Sequence, residues 1–200
     1  MSTRTRARQR GLSLIELVMF IVIVSTAVVG ILQVVSLTTG RSADPLLRKQ
    51  ALAIAESLLE EVELARFTFC DPADAQADVA TRAAVSAVAP LGCAAVVEQV
   101  GQTGGEVNQG RPFDNVNDYV TAYGAQQAAF NNGAGTLVDA NGDPVSSGPY
   151  TARLTIGATD TLGGIVSNAA DPTVLRITVE VQYGTDSVVL EGYRVRYAPN

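Results

Sequence analysis

Residues 12–35 are almost entirely apolar, and this run constrains the fold more than any other feature of the chain. It reads LSLIELVMFIVIVSTAVVGILQVV. About 20 apolar residues in a helix suffice to cross a bilayer, so the run predicts one membrane-spanning helix, to which we assign residues 12–39. Four basic residues and no acid precede it: Arg4, Arg6, Arg8 and Arg10. Because basic flanks stay cytoplasmic, the pattern predicts a single pass through the inner membrane with a cytoplasmic N-terminus and a periplasmic C-terminal domain.

Glu16 is the only charged residue inside this apolar run. A charge at the bilayer centre costs about 2.5–3.5 kcal/mol on insertion scales, and such residues usually have a function. The cost is smaller for Glu16, because it lies near the cytoplasmic end of the predicted helix. Either Glu16 has a specific partner, or it is an interfacial carboxylate that reaches the lipid headgroups.

The residues before and after the start of the run form a distinctive pattern. A basic leader ends at Gly11, the apolar Leu12 follows, and Glu16 stands four residues after Leu12. This pattern resembles the class III signal sequence of type IV pilins and of type II secretion pseudopilins. In that superfamily a basic leader ends in glycine, the first mature residue is usually phenylalanine, and the fifth is glutamate. Leu12 departs from the usual phenylalanine but keeps the apolar character of the position.

The resemblance implies how the chain would be processed and assembled. A prepilin peptidase would cut between Gly11 and Leu12 and remove the leader, residues 1–11, after which the α-amino group of Leu12 would be N-methylated. The carboxylate of Glu16 would pair with the N-terminal ammonium of a neighbouring subunit, which relieves the cost of burying either charge alone. The expected partners are the peptidase, other pilin subunits, the inner-membrane assembly platform and the membrane itself.

Two other interpretations of the N-terminal segment stay open. Ser25, Thr26 and Ala27 are small residues at the offset where signal peptidase would cut an ordinary secretory signal after Ala27. A glutamate inside the apolar region argues against that interpretation. An uncleaved membrane anchor also fits the apolar run.

The composition argues against catalysis and against nucleic-acid binding. The chain has no histidine, which is the commonest general base and transition-metal ligand, and we expect neither enzymatic activity nor a cofactor. The formal net charge is −6. Without the four arginines of the first ten residues, 10 of the 14 basic residues remain against 20 acidic ones, a balance of −10. Nucleic-acid binding needs a basic surface, so we expect no nucleic-acid partner.

Residues 40–67 predict a second, amphipathic half of the N-terminal helix. Asp44 and Pro45 are typical of a helix start, as N-cap and first helical residue. An apolar stripe follows at spacings of three and four: Leu47, Ala51, Ile54, Leu58, Val62 and Ala65. The stretch DPLLRKQALAIAESLLEEV, with the later FDNVNDY at residues 113–119, resembles the MshD-like minor pilins of the mannose-sensitive haemagglutinin (MSHA) pilus. The second patch is usually richer in aspartate in that family than it is here, where Asn115 and Asn117 stand.

Residues 68–148 are rich in alanine, glycine and asparagine and have little periodicity. They predict a variable connecting region, with short helices near residues 77–89 and 120–130. This region holds both cysteines of the chain, Cys70 and Cys93. In an oxidising compartment the two would close a disulfide loop; the alternative is a pair of unpaired buried thiols.

Residues 149–200 predict an antiparallel sheet. Apolar and polar residues alternate over residues 150–156 and 175–183, as in strands with one buried face. A turn at residues 184–187 would return the chain as a hairpin strand over residues 188–197, with a bulge near Glu191 and Gly192 where the apolar phase shifts. The expected fold is α+β and pilin-like: one long N-terminal helix, whose amphipathic half packs on a C-terminal antiparallel sheet of at least three strands.

We expect no metal site. Residues 139–143 (DANGD) resemble the start of a calcium-binding loop, but that loop continues with a glycine and a glutamate where this chain has Pro144 and Tyr150. A turn rich in Asp, Asn and Gly explains the sequence without a metal. A second set of oxygen ligands to be considered consists of Asp114, Asn117 and Asp118.

These features together predict a structural protein: a minor pilin of a type IV, MSHA-like pilus (a fimbrium that serves cell adhesion), built into the filament or its tip. One alternative is a minor pseudopilin of a type II secretion system, in a periplasmic pseudopilus. Another is a membrane-anchored periplasmic binding or adhesin module. Replacing Glu16 with alanine separates assembly from anchoring, because only an assembling subunit needs that carboxylate.

Overall fold

The order of elements along the chain is two helices, a long connecting region and a set of strands. The computed structural model describes residues 13–40, 45–102, 110–145 and 148–196, and for residues 37–40 the backbone alone. Helix α1 spans Leu14–Gly40 and helix α2 spans Pro45–Leu64. The strands are β1 (Tyr150–Gly157), β2 (Thr161–Leu162), β3 (Ile165–Val166), β4 (Val174–Tyr183) and β5 (Asp186–Val195). Contacts divide the chain into two units, Met1–Pro45 and Leu46–Asn200, and we call the second the sheet unit.

Helix α1 has the length and composition of a membrane span. The segment Leu14–Ser36 has 23 residues with a mean hydropathy of 2.7. At 1.5 Å per residue it is about 34 Å long, which exceeds the roughly 30 Å of a bilayer's hydrocarbon core. The prediction of an apolar N-terminal helix long enough to span a membrane is therefore confirmed. The four leader arginines, Gly11, Leu12 and the predicted N-cap Asp44 lie outside the described residues.

The C-terminal strands form the predicted antiparallel sheet. Strand β4 lies in the middle, paired with β1 on one side and with β5 on the other. The β4–β5 hairpin is tighter than expected: Tyr183 pairs with Asp186, so the turn consists of Gly184 and Thr185 alone. Gly184 has φ +60°, a conformation that glycine adopts without strain. Along the chain, the connection from β1 to β4 contains strands β2 and β3, which form a separate two-stranded hairpin.

The predicted bulge in the last strand is wrong. Strands β4 and β5 pair without interruption from Tyr183–Asp186 to Val174–Val195. Gly192 is buried, and a Cβ there would overlap the Glu63 carboxylate of α2 and press on Leu59. The glycine interrupts the apolar pattern because the helix passes close to the strand at this point, and the pairing itself is regular.

The core lies between α2 and the sheet. The buried residues of α2 are Ala51, Ala55, Leu58 and Val62, and they belong to one apolar cluster with Leu154, Ile177, Val179 and other inner-face residues of β1 and β4. The amphipathic stripe of α2 therefore packs against the sheet, as the helical spacing predicted. Leu47 and Ile54 of that stripe are only partly buried and lie at the edge of this core.

The two short helices predicted for the connecting region are wrong. Residues 77–89 and 120–130 form turns and isolated bridges. In the second segment, Gly124 donates its N–H to the carbonyl of Ile156 and Gln127 exchanges two backbone hydrogen bonds with Leu154. These backbone groups pair along the free edge of β1, which a helix would prevent. The one helical element in the described part of the region is a 3-10 turn, Val116–Tyr119.

Candidate functional site

The surface of α1 is the feature that most needs an explanation. Every Leu, Ile, Val, Met and Phe side chain from Leu14 to Val35 is exposed, with Leu14 at 82% and Phe20 at 64%. Burying one such side chain stabilises a structure by about 1.5–3 kcal/mol, so a helix of this kind does not stay in water. The hydrocarbon core of a bilayer would cover such a surface.

Glu16 lies in the first turn of α1. The carbonyl of Ser13 accepts hydrogen bonds from the N–H groups of Glu16 (3.0 Å) and Leu17 (3.1 Å), which starts the helix here. A carboxylate in the first turn interacts favourably with the helix dipole, and the Glu16 side chain is exposed. It is the one charged side chain on an otherwise uncharged helix. Gly11 and Leu12, the predicted cleavage pair, lie outside the described residues, so Glu16 is the part of the predicted site that the structure places.

The hydroxyl of Thr26, near the middle of α1, has hydrogen-bond partners within the helix. It is within hydrogen-bond distance of the carbonyls of Val22 (3.0 Å) and Ile23 (2.9 Å). Intrahelical bonds of this kind allow a threonine to lie in an apolar environment. The Glu16 carboxylate accepts hydrogen bonds, so the helix carbonyls that bind the Thr26 hydroxyl cannot serve as its partners.

A buried ion pair fixes α2 to the connecting region. The guanidinium of Arg111 binds both carboxylate oxygens of Glu61, at 2.8 Å and 2.6 Å, and the side chains are only 10% and 8% exposed. Arg111 also donates to the carbonyls of Phe130 and Val138, each at 3.0 Å. We call Glu61, Arg111 and their partners the clamp.

The hydroxyl of Tyr119 completes the clamp by donating to Glu61 at 3.0 Å. Burial, followed by the nearby negative charge of Glu61, raises the pKa of Tyr119 above its ordinary value. The phenol therefore stays protonated and remains a donor to the carboxylate. Every strong polar group of the clamp has a partner, so its chemistry is structural.

The patch at residues 113–119 forms a second anchor. The Asn115 side chain is fully buried; it accepts from the N–H of Asn117 (3.2 Å) and donates to the hydroxyl of Thr68 (3.1 Å). The backbone of Asn115 pairs with that of Arg66, just after α2 ends. Asn117 accepts from the hydroxyl of Tyr123 at 2.7 Å, and burial raises the pKa of Tyr123 to about 12.

These amides are already engaged within the protein, which leaves Asn117 unsuited to the oxygen-ligand set considered with Asp114 and Asp118. Asp139 is engaged in the same way, since one carboxylate oxygen accepts from the N–H groups of Asn141 and Asp143, both at 2.9 Å. The sequence DANGD thus folds as an Asp-stabilised turn. Among the described residues there is no group of three or more His, Cys, Asp or Glu placed to hold a metal ion.

Cys70 and Cys93 form a disulfide bond, with their Cα atoms 5.4 Å apart. Within the loop that it closes, the Asp74 carboxylate accepts from four backbone N–H groups: Gln76, Ala94, Ala95 and Val96, at 2.8–2.9 Å. Burial alone would raise the pKa of Asp74, but these hydrogen bonds lower it to about 2. The carboxylate holds the two ends of the loop together beside the disulfide.

Arg196 joins the end of the sheet to the segment that follows α2. Its guanidinium lies 4.5 Å from the ring centre of Phe67 and 4.2 Å from that of Phe69, and it donates to Asp171 at 2.7 Å. Burial lowers the pKa of Arg196, and the charge of Asp171 opposes this effect. Sequence reasoning did not identify Arg196, Arg111, Glu61 or Asp74, because no local pattern connects residues so far apart along the chain.

Comparisons of this chain with protein-family models, with curated proteins and with solved structures give no match.

Proposed function

We propose that the chain is a prepilin that is cut between Gly11 and Leu12 and assembled through α1 into a filament of the type IV pilus superfamily, as an MSHA-like minor pilin. The observation that carries the proposal is an apolar helix whose described side chains, from Leu14 to Ser36, are all exposed, with a single carboxylate in its first turn. The sequence around it supplies the rest: a basic leader, a glycine before an apolar residue, and the glutamate four residues later.

The proposed mechanism follows from the cost of an unpaired charge. Removal of the leader creates an α-amino group on Leu12, four residues before Glu16. When α1 leaves the membrane for the apolar core of a filament, the Glu16 carboxylate and the ammonium of a neighbouring subunit each need a partner. An ion pair between them gives both charges a partner. A neighbouring subunit is therefore added only in the axial register that brings these two charges together. The function is assembly, and no catalytic residue or cofactor is part of the proposal.

The proposed partners follow from the same mechanism. They are a prepilin peptidase at the cytoplasmic face, an inner-membrane assembly platform and other pilin subunits. A type II secretion pseudopilus would use the same helix and the same carboxylate, and the presence of extracellular fibres separates the two systems.

The test is the variant Glu16→Ala in the full chain. We expect it to insert into the membrane and lose its leader normally, and to be absent from the sheared filament fraction. Thr26→Ala is the matched control, because it removes a polar group of the same helix whose hydrogen bonds are internal, and it should assemble as the unaltered chain does. Normal assembly of Glu16→Ala would refute the proposed role of the carboxylate.

A further inference from the structure

The two ends of α2 expose surfaces of opposite charge. At its start, Arg48 and Lys49 are exposed, next to Leu46, which is 59% exposed. At its end, Glu60 is exposed, one helical turn from Leu64, which is 75% exposed. Lys49 is the only lysine of the chain. Each end thus combines charge of one sign with an apolar side chain that the sheet unit leaves uncovered.

The acidic end borders a groove. Two adjoining depressions, of about 340 and 550 Å³, share Ser57, Glu61 and Ala140. The larger one lies between the end of α2 and the connecting region, where Glu60, Leu64, Pro112 and Phe113 line it. We call it the α2 groove.

The acidic side chains that line the α2 groove are Glu60, Glu61 and Asp114. Arg111 neutralises Glu61, and Arg66, the basic residue of the lining, is paired with Asp78 at 3.1 Å. Glu60 has no ion pair among the residues that the structure describes. The groove therefore suits a ligand with an apolar side chain and a neighbouring cation.

We propose that the α2 groove receives the start of α2 from a second copy of this chain, with Lys49 beside Glu60 and Leu46 against Leu64 and Phe113. The occupant is a second copy because the complementary charge and the complementary apolar side chain lie together on this same helix. The contact joins two different surfaces of the two copies, so it is head-to-tail. It rests on the proposed function in one respect: a contact this small needs α1 to hold the copies at high local concentration.

The sole lysine makes a zero-length cross-link a direct test. Within one copy, Lys49 and Glu60 are 11 residues apart on a helix, or about 17 Å along its axis, which is too far for an amide bond between their side chains. Any Lys49–Glu60 amide therefore joins two copies. The full-length protein, in membranes with attached filaments, is treated with a water-soluble carbodiimide, digested, and analysed by mass spectrometry.

We expect the Lys49–Glu60 amide in the unaltered chain and its loss in Leu64→Arg, which places a cation in the α2 groove. Val166→Arg is the matched control, because Val166 is 72% exposed on the β2–β3 hairpin and gains the same charge; it should leave the yield unchanged. The double variant Lys49→Glu/Glu60→Lys keeps complementary charges with their positions exchanged. It should therefore also form an amide between residues 49 and 60.

Two results would overturn the contact: Lys49 coupled to other carboxylates but not to Glu60, or an equal yield of the Lys49–Glu60 amide in Leu64→Arg and the unaltered chain. The same digest reports the N-terminus and so separates this inference from the proposed function. A chain that begins at Leu12 and lacks the amide would remove the contact alone. A chain that begins at Met1 and carries the amide would support the contact and remove the prepilin assignment.

Discussion

Helix α1 and the sheet unit obtain their structures in different ways. In α1 the residues described, from Leu14 to Ser36, leave all their side chains exposed, so the helix depends on intrinsic backbone hydrogen bonding and on a surrounding apolar phase. The sheet unit buries its own core and adds a disulfide and a clamp. Helix α1 therefore presents its apolar side chains outward, while the polar contacts of the sheet unit are directed inward and hold the connecting region in place.

Breaking the clamp should lower the stability of the sheet unit more than any of the changes that follow. Glu61→Ala leaves the guanidinium of Arg111 buried without its carboxylate, and removing one partner of a buried ion pair costs about 3–5 kcal/mol. We expect a loss of this size in the stability of the sheet unit, measured by proteolysis of the detergent-solubilised full chain in increasing urea. Membrane insertion of α1 should be unchanged.

The neighbouring residue provides the control for the clamp. Glu60→Ala removes an exposed carboxylate, and surface changes of this kind usually stay within about 0.5 kcal/mol. Equal stability of Glu61→Ala and Glu60→Ala would show that the clamp does not stabilise the connecting region.

Removing the disulfide should have the next largest effect. Cys70 and Cys93 are 23 residues apart, and a loop of that length is stabilised by about 3 kcal/mol in the chain-entropy account. The double variant Cys70→Ala/Cys93→Ala should lose that much in the same urea assay. The effect should be matched by treating the unaltered chain with a reductant, and the variant itself should not respond to the reductant. A variant as stable as the oxidised chain would contradict this prediction.

Protonating Asp74 should lower the stability of the sheet unit by a smaller amount, so that this stability depends on pH. Its pKa is about 2 in the folded chain, below the ordinary value of 3.8. The charged form is therefore favoured by folding, and the stabilisation is complete above about pH 4 and is lost as the pH falls towards 2. Asp74→Ala should be less stable than the unaltered chain at pH 7, and the difference should shrink between pH 4 and pH 2.

A conservative change at the same position sharpens this measurement. Asp74→Asn keeps one acceptor oxygen, so it should retain part of the stability at pH 7. A difference between Asp74→Ala and the unaltered chain that stays constant down to pH 2 would contradict the assigned role of the carboxylate.

The contrast between the two regions also explains what the sequence could predict. The length of α1 and the position of Glu16 follow from a local run of residues, and the alternation in β1 and β4 and the stripe of α2 are periodic signals of the same kind. The bulge near Gly192 was predicted wrongly because the pattern break comes from Glu63 and Leu59 across the core. This close approach is a tertiary contact, which the periodicity of a single strand cannot predict.

The connecting region was the least predictable part for the same reason. Its conformation depends on contacts between distant residues, such as Arg111 with Glu61 and the edge of β1 with Gln127. Alanine-rich segments there favour helix locally, but the disulfide and the four N–H groups bound by Asp74 select turns. The patch at residues 113–119 was singled out from the sequence, and the structure places it as a buried anchor against the end of α2.

The measurement that tests the central claim most directly is the mass and N-terminal sequence of the native protein extracted from its membrane. We predict a chain that begins at N-methylated Leu12. A chain that begins at Val28 would identify an ordinary exported protein, and one that begins at Met1 an uncleaved anchor. Either of these would contradict the filament account and leave Glu16 as an interfacial charge.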